Sequence, residues 1–150
     1  MEGTGKKESF IAVCIKHQED AAKNAQLLME EAQQAANDYG APKDRYDSFR
    51  TKQMRTGDMY ANQLDNALQN VRTLQLIDAQ KKCNCVEFGS IVTTDKQTMF
   101  VSVSLGKLEC AGEEFYAISV KVPIYVAMKD KKEGDVFVCN GVKQKIISIL

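Results

Sequence analysis

Between residues 60 and 74 the apolar side chains recur at Tyr60, Leu64, Ala67, Val71 and Leu74. Steps of four and three keep one face of an α-helix apolar, and this is the spacing of a coiled-coil seam. Carried back toward the N-terminus, the same seam meets Gly57, Gln53, Arg50 and Tyr46, so its far half is mostly polar. An earlier stretch mirrors it: Ala25, Leu28 or Met29, Ala32, and Ala35 or Ala36. Glu8 to Tyr39 contains no proline or glycine, and Asp44 to about Asp78 contains no proline and only Gly57. The break between them is Asp38-Tyr39-Gly40-Ala41-Pro42-Lys43-Asp44. Two long helices joined by so short a turn are predicted to fold back as an antiparallel hairpin. At about 1.5 Å per residue each helix spans roughly 50 Å. Small alanines permit close helix approach but bury little area, so the good helix formers Ala, Gln, Glu and Met must support the tip half.

From Val86 the period changes. Val86-Glu87-Phe88 and Ser90-Ile91-Val92-Thr93-Thr94 flank Gly89, and Asp95-Lys96-Gln97 has the composition of a turn. Met99, Val101 and Val103 alternate with Phe100, Ser102 and Ser104, and Glu114 to Val122 is another β-rich run. Val136-Phe137-Val138 and Lys145 to Leu150 are predicted to close as a hairpin around Asn140-Gly141. Pro123 suits the first turn of a short helix, Pro123 to Met128, followed by the polar loop Asp130 to Asp135. Phe115, Tyr116 and Phe137 are expected in the sheet core. The fold class is therefore α+β: a helical hairpin over 1–80 with its tip near 38–44, then a small, mostly antiparallel β domain with one short helix over 84–150. The polar stretch Ala79-Gln80-Lys81-Lys82 marks the boundary.

Charge narrows the functional classes. The chain has 20 Lys and Arg against 20 Asp and Glu. Neither half has the basic excess of a protein held mainly by duplex phosphates. No long apolar run follows the N-terminus, so neither a signal peptide nor a membrane span is expected, and a cytoplasmic location is. The five cysteines, at 14, 83, 85, 110 and 139, lack disulfide-scaffold spacing and are expected as thiols. Cys83-Asn84-Cys85 has no second pair or histidine nearby to complete a zinc site. His17 has no evident catalytic partner. No nucleophile–base pair, Gly-rich phosphate loop or nucleotide motif is present, so no small-molecule substrate and no resident cofactor are expected.

The second half resembles a known family. Phe88-Gly89-Ser90-Ile91-Val92-Thr93 resembles the opening strand of the C-terminal domain of the bacterial Gre transcript-cleavage factors, GreA and GreB. Ile118-Ser119-Val120-Lys121-Val122-Pro123-Ile124, then Ala127-Met128 and Gly134-Asp135-Val136-Phe137-Val138, are similar to that family's Ile-Ser-x-x-Ser-Pro stretch, short helix and Gly-Asp-x-Val strand. The resemblance implies a divergent member with an FKBP-like sheet domain behind the hairpin. In the hairpin itself only the layout, the composition and the Leu76-Ile77-Asp78 exit are similar.

That family binds RNA polymerase through the C-terminal domain and inserts the hairpin into the secondary channel. Two acids at the tip help hold a catalytic Mg²⁺, shared with the polymerase, which then cuts its own backtracked transcript. The factor itself is thus expected not to be an enzyme. Mg²⁺ suits this arrangement because it takes one or two carboxylates and keeps several waters. The available acids are Asp38, Asp44 and Asp47, with Asp38 and Asp44 as metal ligands. The family pattern is an acid, two residues, and an acid inside the turn. Asp44-Arg45-Tyr46-Asp47 has that spacing further into the second helix. If Tyr46 matches the tyrosine after the family's acids, Asp38 takes the first acid's place and no acid stands at the second. Asp38 and Asp44 also suit helix capping.

By the same resemblance Ser119, Lys121 and Pro123 would contact polymerase. Lys121 stands where some members carry an acid, and Val122 replaces the usual serine. Behind the tip, Lys43, Arg45, Arg50, Lys52 and Arg55 would reach the transcript 3′ end, or form a solvated helix face with Asp44, Asp47 and Asp58. Three functional readings follow: a Gre-like factor that modulates elongation or cleavage, or only occupies the channel; a coiled-coil interaction module for another partner; and an isomerase on the FKBP-like sheet, which would need an aromatic-lined pocket.

Overall fold

A computed structural model describes residues 2–39 and 48–150, with side chains from Gly5 onward. The element order is α1 (Glu2–Tyr39), α2 (Ser48–Gln75), β1 (Ile91–Thr94), β2 (Thr98–Val101), β3 (Gly106–Cys110), β4 (Glu113–Ile118), α3 (Pro123–Met128), β5 (Val136–Cys139) and β6 (Val142–Ile149). The chain divides into two compact units, His17–Val71 and Met1–Lys16 with Arg72–Leu150. Among the described residues no helix is long and apolar enough to cross a membrane.

In the His17–Val71 unit, α1 and α2 pack antiparallel along the expected seam. Gln18, Ala22, Ala25, Ala32 and Ala36 are buried on α1, and Ala67 on α2. Arg50, Gln53, Gly57, Tyr60, Leu64 and Val71 are half-buried on α2. The register is fixed by contacts at both ends. Asn70 Nδ2 donates to Gln18 Oε1 at 2.8 Å, Arg50 Nη1 donates to the Ala36 carbonyl at 3.3 Å, and the Tyr39 and Phe49 rings lie 4.6 Å apart. The Gln18–Asn70 pair satisfies two amides inside the seam, as a buried polar group requires.

Gly57 sits in the interior of α2, where glycine costs about 1 kcal/mol relative to alanine. A methyl group there would lie 3.9 Å from the Ala32 Cβ, an ordinary contact. Gly57→Ala is therefore expected to raise stability by about 1 kcal/mol. A urea midpoint that shifts upward at unchanged m-value checks this. A downward shift would show that the two helix backbones approach too closely at Gly57 to admit a methyl.

The second unit is built on one six-stranded sheet in the order β3-β4-β2-β1-β6-β5. All neighbours are antiparallel except β2 and β4, which pair in parallel through Met99↔Tyr116, Phe100↔Ala117 and Val101↔Ile118. The turn at Asp95–Gln97 forms as expected: the Thr94 hydroxyl accepts from the Lys96 and Gln97 amides, each at 3.1 Å. It also donates to Gln144 Oε1 at 2.9 Å, inside the sheet. The β5–β6 hairpin turns at Asn140 and Gly141, whose φ values of 52° and 78° are those of a two-residue primed turn.

Each face of this sheet carries its own core. On one, Val92, Met99, Val101, Phe137, Ile146 and Ile149 pack with Tyr125 and Met128 of α3. On the other, Ile91, Phe100, Phe115 and Ala117 pack with Phe10 and Cys14 of α1 and Leu74 of α2. Covering both faces explains why β1 and β2 are almost continuously buried instead of alternating between core and solvent. The first turns of α1 are pinned by polar contacts as well. Lys6 Nζ pairs with Glu113 at 2.9 Å, and Gln80 Nε2 donates to Glu8 at 2.8 Å. Lys7 is 2% exposed and donates to the Lys81 carbonyl at 2.5 Å and the Cys83 sulfur at 3.4 Å.

Three expectations about this unit are corrected. Val86–Phe88 is not a strand. Gly89, at φ 89°, turns the chain there, and Val86 instead exchanges backbone hydrogen bonds with Lys131 and Asp130 at 2.8 and 3.0 Å. The β-rich run beginning near Glu114 ends at Ile118, and Ser119–Val122 is a loop. Tyr116 is exposed, because its neighbours Phe115 and Ala117 point into the core and alternation turns it outward. The strand Gly106–Cys110 was not legible: Gly106-Lys107-Leu108-Glu109-Cys110 offers one fully apolar side chain, and its pairing with β4 supplies the rest.

Candidate functional site

Two places hold the residues that sequence reasoning singles out. The first is the end of the helical pair. Asp38 lies in the last turn of α1, exposed, with its Oδ1 accepting from Gln34 Nε2 at 2.7 Å. This is an i,i+4 pair on the helix surface, which holds the carboxylate along its own helix. Arg50 crosses from α2 to the Ala36 carbonyl, one of the four at the helix end that have no partner within α1. A guanidinium at this end also complements the helix dipole. Arg50 thus fastens the two helices, a role sequence could not reveal because a backbone acceptor leaves no mark on composition.

Lys52 and Arg55 follow on α2, both exposed. Beside Arg50 runs an open cleft of about 360 Å³ between the helices, with Met29, Ala36, Gln53, Met54 and Gly57 among its walls. It exists because alanine and glycine face each other where larger residues would fill the seam. Asp44, Asp47, Arg45 and Lys43 lie outside the described residues, as do Gly40, Ala41 and Pro42. Asp38 supplies one hard oxygen donor of the kind Mg²⁺ accepts. Among the described residues no three His, Cys, Asp or Glu side chains converge closely enough to hold a metal ion.

The second place is the loop between β4 and α3. Ser119 is anchored by its amide, which donates to the Ser104 hydroxyl at 3.2 Å. Its own hydroxyl accepts from the Lys121 amide at 3.3 Å, closing a local serine turn. Lys121 is left exposed, and Pro123 follows, also exposed, in the first turn of α3. Val122 takes the N-cap position in extended conformation, φ −77° and ψ 150°, and offers no side-chain acceptor. The loop therefore presents an exposed ammonium and a rigid proline on a backbone held by two serines. Next to it is an open cleft of about 380 Å³ lined by Val122, Pro123, Ile124 and Val142, with Gln97 and Gln144 among the polar groups. None of its lining residues is aromatic.

His17 is exposed, with its Nδ1 3.0 Å from Gln18 Nε2. Cys83 is buried against the Lys7 ammonium, whereas Cys85 is half-buried with Glu87 as neighbour. Burial raises the Cys83 thiol above its ordinary 9.0, the Glu87 acceptor adds to this, and the Lys7 ammonium opposes it. The hydrogen bond from Lys81, 3.1 Å away, lowers the Glu87 carboxyl below its ordinary 4.5. Cys83 is accordingly a thiol within a packed segment.

No protein-family model matches the chain, and no curated protein matches it. Solved structures similar to it include the GreA factor homolog 1 (Gfh1) protein of Thermus thermophilus, 12% identical, covering 91% of this chain and 94% of that one, with a TM-score of 0.34. A structure of the transcription factor Gfh1 is 12% identical over 91% and 93% of the two chains, with a TM-score of 0.37. Thermus aquaticus Gfh1 is 14% identical over 89% and 92%, with a TM-score of 0.31. At these scores the likeness decides neither family nor function.

Proposed function

We propose that this chain is a Gre-like factor that binds bacterial RNA polymerase and inserts its helical hairpin into the secondary channel, modulating elongation or transcript cleavage. The observation that carries the reading is the Ser119–Pro123 loop. The stretch whose sequence resembles the family's contact segment falls at a strand end, ahead of a short helix and then the Gly134-Asp135-Val136 entry to β5. In it Lys121 and Pro123 are exposed together, on a backbone fixed by Ser104 and Ser119. The long antiparallel helices supply the element such a factor needs, and Lys52 and Arg55, both exposed, would meet the transcript. Asp38 and Asp44 would each offer a carboxylate to a Mg²⁺ shared with the polymerase, a metal that activates the attacking water and stabilises the leaving oxygen. In this reading the factor carries no metal of its own and completes a site that belongs to its partner.

The test begins with binding. The chain should co-sediment with bacterial RNA polymerase core enzyme, and Lys121→Glu or Pro123→Ala should change that binding about tenfold. Absence of binding to core enzyme and to elongation complexes would overturn the proposal. Stalled complexes then separate the two modes of action. Mg²⁺-dependent shortening of the RNA that disappears with paired Asp38→Ala and Asp44→Ala, binding being retained, assigns cleavage. Slowed elongation without shortening assigns occupancy of the channel.

A further inference from the structure

The two edges of the six-stranded sheet are built in opposite ways. At one edge β3 exposes Lys107 and Glu109, and Lys107 is bridged across to Glu114 at 2.9 Å. Charged side chains on a terminal strand are the usual defence against pairing with another chain. At the other edge β5 carries no charge at all. Phe137 turns into the core, while Val136 and Val138 are 40% and 59% exposed.

The main chain of β5 is available too. In the β5–β6 hairpin Cys139 lies opposite Val142, and Asp135 accepts from the Ile146 amide at 2.9 Å. Alternation along an antiparallel ladder then turns Phe137 and Cys139 toward β6 and leaves Val136 and Val138 with their N–H and C=O groups on the outer side. Among the described residues none of these four groups has a hydrogen-bond partner beyond the hairpin. The face of the hairpin that displays the two valines is basic. Lys145 stands opposite Val136 and Lys143 opposite Val138, both exposed, and neither has a carboxylate partner among the described residues.

We propose that β5 is a docking edge for an extended acidic segment of a partner protein, taken up as a seventh strand. Main-chain pairing with Val136 and Val138 supplies affinity in such strand addition, and side chains on alternate positions supply specificity. An added strand lies about 9.5 Å from β6, two strand spacings. A lysine on β6 and a glutamate on the added strand can meet over the small valine between them, since a lysine stem extends its charge well beyond its own strand. Charge decides against a second copy of this chain, because β5 pairing with β5 would present no carboxylate to Lys143 or Lys145. The proposal involves none of Ser119, Lys121 or Pro123, so it does not depend on polymerase binding.

The test titrates the full chain with a synthetic peptide alternating valine and glutamate, reading amide hydrogen exchange and chemical shifts. The expected result is slowed exchange and shifted resonances at Val136 and Val138, with binding about tenfold weaker when lysine replaces glutamate in the peptide. Val138→Pro should abolish binding while leaving the fold intact, because proline is accepted on an edge strand where the N–H faces outward. Should that variant unfold, Lys143→Glu with Lys145→Glu should reverse the preference toward the lysine peptide. No binding, protection elsewhere, equal affinity for both peptides, or protection of Val136 and Val138 by self-association without peptide would each overturn the proposal.

Discussion

Replacing Phe10 with alanine is expected to cost about 3–5 kcal/mol, the range for truncating a fully buried aromatic. Phe10 is 1% exposed, and its ring stacks on Phe115 at 3.9 Å and 11°. Phe100 meets it edge-on at 6.0 Å, and Phe115 lies 6.4 Å from Phe100. The edge-to-face contact with Phe100 adds roughly 0.5–1.5 kcal/mol to the area term. The vacated space would be walled by Ile91, Phe100, Phe115 and Leu74 on a sheet already covered on its other face, so little collapse is possible. A loss of that size is a large part of the 5–15 kcal/mol typical of a whole domain. Urea unfolding followed by circular dichroism measures it. Leu27→Ala is the control: Leu27 is 55% exposed on the same helix, and its truncation should cost only a few tenths of a kcal/mol. A Phe10→Ala loss no larger than the control's would mean that α1 does not seal this face of the sheet.

Phe10 also shows where pattern reading stops. The seam of α2 was legible because Tyr60, Leu64, Ala67, Val71 and Leu74 form a regular stripe, and a hairpin is its simplest partner. Phe10 and Cys14 continue the stripe of α1, but a stripe does not name what covers it. They pack with strands from the far end of the sequence, a choice made by the sheet's own need for a second cover. Lys7 hid the continuation further, since a lysine at a seam position is expected in solvent. Here the Lys81 carbonyl and the Cys83 thiol supply the partners its burial requires.

The sheet was legible where it turns tightly. Asp95–Gln97 and Asn140-Gly141 carry turn chemistry that fixes local geometry regardless of context. Val86–Phe88 misled because three apolar-rich residues fit a strand as well as a packed bend. For the candidate site, the resemblance placed Ser119, Lys121 and Pro123 together, whereas their anchoring by Ser104 depends on strand β4 ending beside the chain at Ser104. The acids divide differently: Asp38 is held by Gln34 on its own helix, and Asp44 and Asp47 lie outside the described residues.

Alkaline pH should destabilise the protein through Cys14. Its side chain is wholly buried, and burial pushes the thiol from its ordinary 9.0 to about 12, with the nearby Cys110 as a smaller contribution of the same sign. Below pH 9 the thiol is protonated in both folded and unfolded chains and has no pH-dependent effect. Above that the unfolded chain releases the proton, while the folded chain keeps it until about pH 12. The stability contributed by the raised folded value is therefore full below the unfolded value and drains away as pH rises toward the folded one. At about 1.4 kcal/mol per pH unit, the loss reaches about 2 kcal/mol near pH 10.5 and about 4 kcal/mol by pH 12. Lysines titrate in the same window and the Cys83 thiol shifts in the same direction, so the readout is the difference between the native chain and Cys14→Ala. At neutral pH the variant should be the less stable of the two, because it leaves a small void. The two unfolding curves should converge as pH rises through 10, and the variant should become relatively more stable near pH 10.5. Parallel curves from pH 8 to pH 10.5 would show that the Cys14 sulfur is solvated, and with it that the contact among Phe10, Cys14 and Leu74 is open to water.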